Sequence, residues 1–141
     1  MAGLLSGLLL RIAKHWIAGE TLEDAIARAQ QSNTNKVRGI INLVGEEITD
    51  RVEANAAAAE YLEILKTIDA RRIQSCISVK PTQLGLAIDE SLFKDNLRKI
   101  LSNAKSLGNF VWVDMEGSPF TAQTVDSYIE SRKEFDNVGI A

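Results

Sequence analysis

Apolar positions along this chain switch between two spacings, one helical and one compact. The apolar run Leu4 to Ile17, broken by Arg11, Lys14 and His15, precedes Gly19 at the place of a C-cap glycine, and predicts a packing helix ahead of the main fold. Thr21 then offers an N-cap, with Asp24 three residues on in a weak version of the capping box. Leu22, Ala25, Ile26 and Ala29 repeat behind it at helical spacing. After the polar stretch Gln31 to Lys36, Val37 to Val44 is a compact run with β-branched residues, ended by Gly45, and reads as the first strand.

The same order recurs. Thr49 is positioned to cap a helix whose apolar positions include Val52, Ala56, Ala59, Leu62, Leu65 and Ile68. Cys76 to Val79 then reads as a second strand, closed by Lys80-Pro81, since proline cannot continue the ladder. Asp89 introduces a third helix carrying Leu92, Phe93, Leu97, Ile100, Leu101 and Ala104, ended by Gly108 before the strand Phe110 to Val113. Thr121 would cap a fourth helix with Val125, Tyr128 and Ile129, and Val138 to Ala141 opens a fourth strand. Ile41, Cys76 and Val111 stand at equal intervals of 35 residues, the size of one strand-plus-helix unit. Alternating strands and helices, with strands apolar through most of their length, imply an α/β fold with a parallel sheet covered by helices. A doubly wound open sheet and part of a (βα)8 barrel both satisfy that pattern. Length favours the former, since a full barrel takes about 250 residues.

The 141 residues carry 16 Lys plus Arg against 19 Asp plus Glu, a net charge of −3, with no basic stripe, so nucleic acid is not an expected partner. The single cysteine, Cys76, rules out an internal disulfide and a multi-cysteine metal site, fits a reducing cytoplasm, and reads as a small buried apolar residue of the second strand. No metal site is expected. The apolar start lacks the basic region and cleavage site of a secretory leader, and is interrupted well short of a membrane span.

In either architecture the working groups lie where strands end. The strand ends here read Gly45-Glu46-Glu47, Lys80-Pro81-Thr82-Gln83 and Asp114-Met115-Glu116, charged at the same level three times. Their convergence would set one ammonium among several carboxylates, an arrangement suited to a small amphoteric molecule. Lys80, stiffened by Pro81, is the candidate anion clamp, and Asp114, directly after an apolar strand, the candidate partly buried carboxylate. His15 stands apart in sequence from every strand end and reads as structural. Glu46 and Glu47 after the first strand argue against a pyrophosphate cradle, and no Walker loop, nucleophile elbow or paired-histidine motif occurs.

Four stretches, Ala18-Gly19-Glu20-Thr21-Leu22-Glu23-Asp24-Ala25, Asn42-Leu43-Val44-Gly45-Glu46, Ser78-Val79-Lys80-Pro81-Thr82-Gln83-Leu84-Gly85-Leu86 and Asn109-Phe110-Val111-Trp112-Val113-Asp114-Met115-Glu116, resemble in order the first half of monofunctional bacterial and archaeal proline dehydrogenases. The resemblance implies a distorted (βα)8 TIM-like barrel with FAD at the C-terminal ends of its strands. It implies oxidation of L-proline to Δ1-pyrroline-5-carboxylate, with electrons passed to a quinone or another acceptor. Carried over by motif, Lys80 matches the lysine that pairs with the substrate carboxylate, Asp114 the active-site aspartate, and Met115 the adjacent residue that contacts FAD. Asn42 and Gly117 depart from acidic residues common in the family, and lower the local charge.

The apolar start gives a helical segment over 1–20, and the resemblance implies the N-terminal half of a barrel over 21–141, about three to four βα units. The chain reads as truncated, because the family's active-site tyrosine, most FAD contacts and the paired arginines of the substrate clamp belong to later elements. Open sheet edges in such a half-barrel would favour self-association. A cytoplasmic protein peripheral to the inner face of the membrane follows if the acceptor is a quinone. The alternative is a non-catalytic half-barrel acting as a binding or regulatory partner.

Overall fold

The computed structural model describes residues 18–141. The helix expected over Leu4 to Ile17, with His15, lies outside them. Helix α1 (Leu22–Thr34) starts with the full capping box: Thr21 Oγ1 accepts from the Asp24 amide, and the Asp24 carboxylate accepts from the Thr21 amide, each at 3.2 Å. Helix α2 (Arg51–Ala70) is capped by Asp50 rather than Thr49. Asp50 Oδ1 accepts from the amides of Val52 and Glu53 at 2.8 and 3.0 Å, a carboxylate serving two otherwise free donors at the positive end of the helix. Asp89 caps α3 (Glu90–Ser106) as expected, and Gly108, at φ 64°, lets the chain turn out of the helix while the Asn109 amide closes on the Ala104 carbonyl. Thr121 does not cap α4 (Thr121–Arg132). Pro119 lies within a 3-10 turn over Ser118–Phe120 that leads directly into the helix, so Thr121 is already helical.

Strands β1 (Gly39–Ile41), β2 (Ser75–Val79), β3 (Val111–Val113) and β4 (Val138–Ile140) form one parallel sheet in the order β1-β2-β3-β4. Strictly sequential order, with right-handed crossovers, keeps every helix on one face, whereas a doubly wound sheet requires the order to reverse. The sheet is therefore part of a (βα)8 barrel. Ile77, Val79, Val111 and Val113 are fully buried against Tyr61, Ile64 and Leu65 of α2 and Phe93, Leu97, Ile100 and Leu101 of α3. On the other face Ile40 is exposed and Cys76 and Trp112 are half-buried. Gly139 allows the Trp112 ring to lie on β4, since a Cβ there would come within 2.5 Å of it.

The register corrects the equal spacing read from the sequence. Ile41 pairs with Ile77 and Ile77 with Val111, separations of 36 and 34 residues. A one-residue shift changes faces, so Ile77 takes the core position and Cys76 looks away from the helices, half-buried instead of buried. The first strand is also shorter than Val37 to Val44. Its end is diverted because the Leu43 amide bonds the Tyr61 hydroxyl instead of a ladder carbonyl, and Val37 and Val44 are exposed. Tyr61 likewise selects the buried stripe of the alanine-rich α2. Ala54, Ala57, Ala58, Tyr61, Ile64, Leu65 and Ile68 are buried, while the expected Val52, Ala56 and Ala59 face solvent. In α4, which packs on β4, the buried positions are Thr124 and Ser127, and Ile129 is exposed. Among the described residues no helix is long and apolar enough to cross a membrane.

Replacing Asp50 by Ala is expected to cost about 1 kcal/mol of stability in denaturant unfolding. Thr49→Ala should stay within about 0.5 kcal/mol of the parent; equal losses would return the cap to Thr49.

Candidate functional site

Beyond Val79 and Val113 the β2–β3 ladder runs one step further, with the Asp114 amide donating to the Val79 carbonyl at 3.0 Å. Because Ser78 pairs with Trp112 and Val79 with Val113, Lys80 and Asp114 are the next residues of neighbouring strands. Alternation gives them the face shared by Ser78 and Trp112, away from the helices. The Ser78 hydroxyl donates to Asp114 Oδ2 at 3.2 Å, which fixes the carboxylate over that face. Lys80 Nζ pairs with Glu46 Oε1 at 2.8 Å, its side chain only 22% exposed. The Glu46 hydrogen bond raises the Lys80 pKa, burial opposes it, and the charges of Glu46, Asp114 and Glu116 add to the rise. The ammonium therefore keeps its proton through the neutral and mildly alkaline range. Met115 sits beside Asp114 with 38% of its surface exposed, its amide donating to the Ala141 carbonyl at 2.7 Å, so the rim of β3 is tied to the end of β4.

Two further residues brace this rim. Thr82, 1% exposed, donates through its amide and its hydroxyl to the two carboxylate oxygens of Glu116, both at 2.7 Å. The same hydroxyl accepts from the Glu47 amide at 3.0 Å, holding Glu47 at φ 54° in the left-handed region. Beneath them the Tyr61 hydroxyl donates to Gln83 Oε1 at 3.0 Å and accepts from the Leu43 amide at 3.3 Å. Gly45 makes room for Gln83, whose Nε2 would lie 3.0 Å from a Cβ at that position.

The three candidates thus collect at one end of the sheet, Lys80 and Asp114 on one face and Met115 beside them. The sequence reading missed the pairing of Glu46 with Lys80, the reach of Tyr61 from a helix, and the bracing by Thr82 and Glu116. Charged and polar residues at three successive strand ends were the signal for the first and last. Nothing in the helical pattern marks Tyr61. A cleft of about 600 Å³ opens at the opposite end of the strands, lined by Arg38, Arg72, Cys76, Asn109, Phe110 and Trp112, and includes none of the three candidates.

Residues 25–141 match the family model of proline dehydrogenase. The chain belongs to the proline dehydrogenase family. It is 32% identical over 127 residues to proline dehydrogenase 1 of Bacillus subtilis (strain 168), covering 90% of this chain and 42% of that protein. It is 28% identical over 120 residues to the proline dehydrogenase of Deinococcus radiodurans, covering 83% of this chain and 39% of that one. The chain thus spans less than half the length of these relatives. Among solved structures, proline utilization A from Bdellovibrio bacteriovorus, inactivated by N-propargylglycine, superposes with a TM-score of 0.86 at 23% identity, over 99% of this chain and 18% of that one. Proline utilization A from Corynebacterium freiburgense gives 0.76 at 24% identity over 96% of this chain and 15% of that one. These two likenesses speak for the fold.

Burial drives the Tyr61 phenol far above its ordinary value of 10.0, while the Leu43 hydrogen bond pulls the other way. The folded state then holds this proton more tightly than the unfolded state, so the stabilisation is complete below pH 10 and is lost as pH rises beyond it. Stability is expected to fall by up to about 1.4 kcal/mol per pH unit above that point. Tyr61→Phe should flatten the decline, measured by urea unfolding between pH 9 and 11, and should cost about 1–3 kcal/mol at neutral pH by leaving Gln83 and Leu43 unpaired.

Proposed function

We propose that this chain supplies the Lys80 and Asp114 side of an FAD-dependent site that oxidises L-proline to Δ1-pyrroline-5-carboxylate. The observation that carries this reading is a protonated, half-buried lysine and a fixed carboxylate placed on one face at the C-terminal ends of β2 and β3. Lys80 would bind the substrate carboxylate, which then takes over the role of Glu46 as counter-ion. Asp114, oriented by Ser78, would face the substrate's ring nitrogen and the charge it carries. Holding both ends of a small rigid ring fixes its orientation, which is what an oriented hydride transfer demands.

The residues of this rim fit a flavin at Met115. Met115 presents a polarisable thioether at the strand ends, suited to the face or edge of an aromatic ring, and its backbone is anchored to β4. No glycine-rich turn follows β1, so in this reading the pyrophosphate is held by other parts of the protein. When bound, FAD supplies the acceptor for a hydride from a ring carbon, and the ring nitrogen gives up a proton as the C=N bond forms. A quinone or another acceptor would then reoxidise the flavin. A quinone would require a cytoplasmic protein that visits the inner face of the membrane.

The test is a visible spectrum of the protein with added FAD, recorded without oxygen while L-proline is titrated in. Bleaching of the flavin band is expected, slowed by at least about tenfold in Lys80→Ala and Asp114→Asn, the loss expected of a charge-assisted contact. FAD binding with no bleaching on proline addition would discard the enzyme reading in favour of a non-catalytic half-barrel partner.

A further inference from the structure

Thr82, Glu116 and Glu47 belong to the loops that follow β2, β3 and β1, and they meet at one buried hydroxyl. Two of them stand at matched positions. Thr82 comes two residues after Lys80, and Glu116 two residues after Asp114. The link from Thr82 back to Lys80 is stiff. Pro81 between them has a fixed φ, and the Lys80 carbonyl accepts from the amides of Gln83 and Leu84 at 3.1 and 3.2 Å, so the Lys80 backbone is part of the turn that carries Thr82. The link from Glu116 back to Asp114 is held at its first two residues, by the Asp114 amide on Val79 and the Met115 amide on Ala141.

We infer that Glu116 is a positioning residue, whose bidentate hold on Thr82 sets the separation between the Lys80 ammonium and the Asp114 carboxylate. The inference rests on the proline-oxidising reading above. Two short charge-assisted bonds from one carboxylate fix both the position and the rotation of the Thr82 peptide, where one bond would leave the loop free to pivot. Glu116 makes no ion pair of its own among the described residues, so its charge is engaged by Thr82 alone and adds at longer range to the field that keeps Lys80 protonated. A glutamine in its place offers one carbonyl acceptor and an amide donor. Its carbonyl can accept from the Thr82 amide, but its amide group then faces the Thr82 hydroxyl as a donor, so the hydroxyl proton loses its carboxylate acceptor and both bonds lose their charge assistance.

The test is a double-mutant cycle read by the binding of cyclopentanecarboxylate, a ring carboxylate with no nitrogen to oxidise, to the intact protein by calorimetry. Lys80→Ala should weaken its Kd by about tenfold or more, and Glu116→Gln by about fivefold. In the Lys80→Ala background Glu116→Gln should then change Kd by less than about twofold, because its effect passes through Lys80. A role confined to stability would lower the Tm of Glu116→Gln and leave Kd unchanged, and independent action would add in full; either result overturns the inference while the functional reading stands. If Lys80→Ala alone leaves Kd unchanged, the functional reading falls and this inference with it. Thr82→Ser, which keeps both donors, should bind as the parent does. Should Glu116→Gln fail to fold, hydrogen exchange of the Thr82 amide in the unsubstituted protein decides. Exchange severalfold slower on ligand binding supports the coupling, since linkage is reciprocal, and an unchanged rate overturns it.

Discussion

In a parallel pair of strands side chains alternate between the two faces, so the registration of Val79 with Val113 determines what the next residues can do. With that pairing, Ile77, Val79, Val111 and Val113 enter the core beneath the helices, and Ser78, Trp112, Lys80 and Asp114 share the opposite side. A slip of one residue in β2 would turn Ile77 and Val79 to the open face and carry Lys80 into the core, and a slip in β3 would do the same to Val111, Val113 and Asp114. Desolvation of either charge makes that alternative far costlier than any local preference. The hydrophobic demand of the sheet thus decides, indirectly, where the charges stand.

The rim has one ammonium and several carboxylates, and the structure keeps them from acting on each other indiscriminately. Glu46 is the direct partner of Lys80, Asp114 is engaged by Ser78, and Glu116 is engaged by Thr82. Each of these three carboxylates has its own donor. Glu46 is also the most exposed of the Lys80 pair, at 60% against 22%, so the lysine is seated in the protein while its partner is in contact with water. An exposed ion pair of this kind is held weakly, which suits a counter-ion that an incoming carboxylate can replace. The braces beneath are of a different character. Tyr61, Gln83 and Thr82 are buried, and their bonds cost a desolvated partner if broken.

Much of this was legible along the chain. The four strand–helix alternations, the apolar stripe of α3, the capping box at Thr21 and the three charged strand ends all follow from spacing and residue type, because helix and strand periods and cap chemistry are local properties. The resemblance carried by the second and third strand motifs pointed to the barrel before the sheet order did. Where the reading failed, a distant group had intervened. Asp50 displaced Thr49 because its carboxylate reaches two amides, and α2 turned a different alanine face inward because Tyr61 seeks Gln83 and Leu43.

By itself, then, the sequence determined the elements, their order, the α/β class and the residue types that end each strand. Tertiary structure decided the sheet order, the register and the partners of each polar group. Register depends on the packing of residues more than thirty positions apart, and a local pattern holds no record of such distances; separations of 36 and 34 look alike from within either strand. The pairing of Glu46 with Lys80 and of Thr82 with Glu116 is of the same kind, since each joins loops that meet only after the strands have aligned.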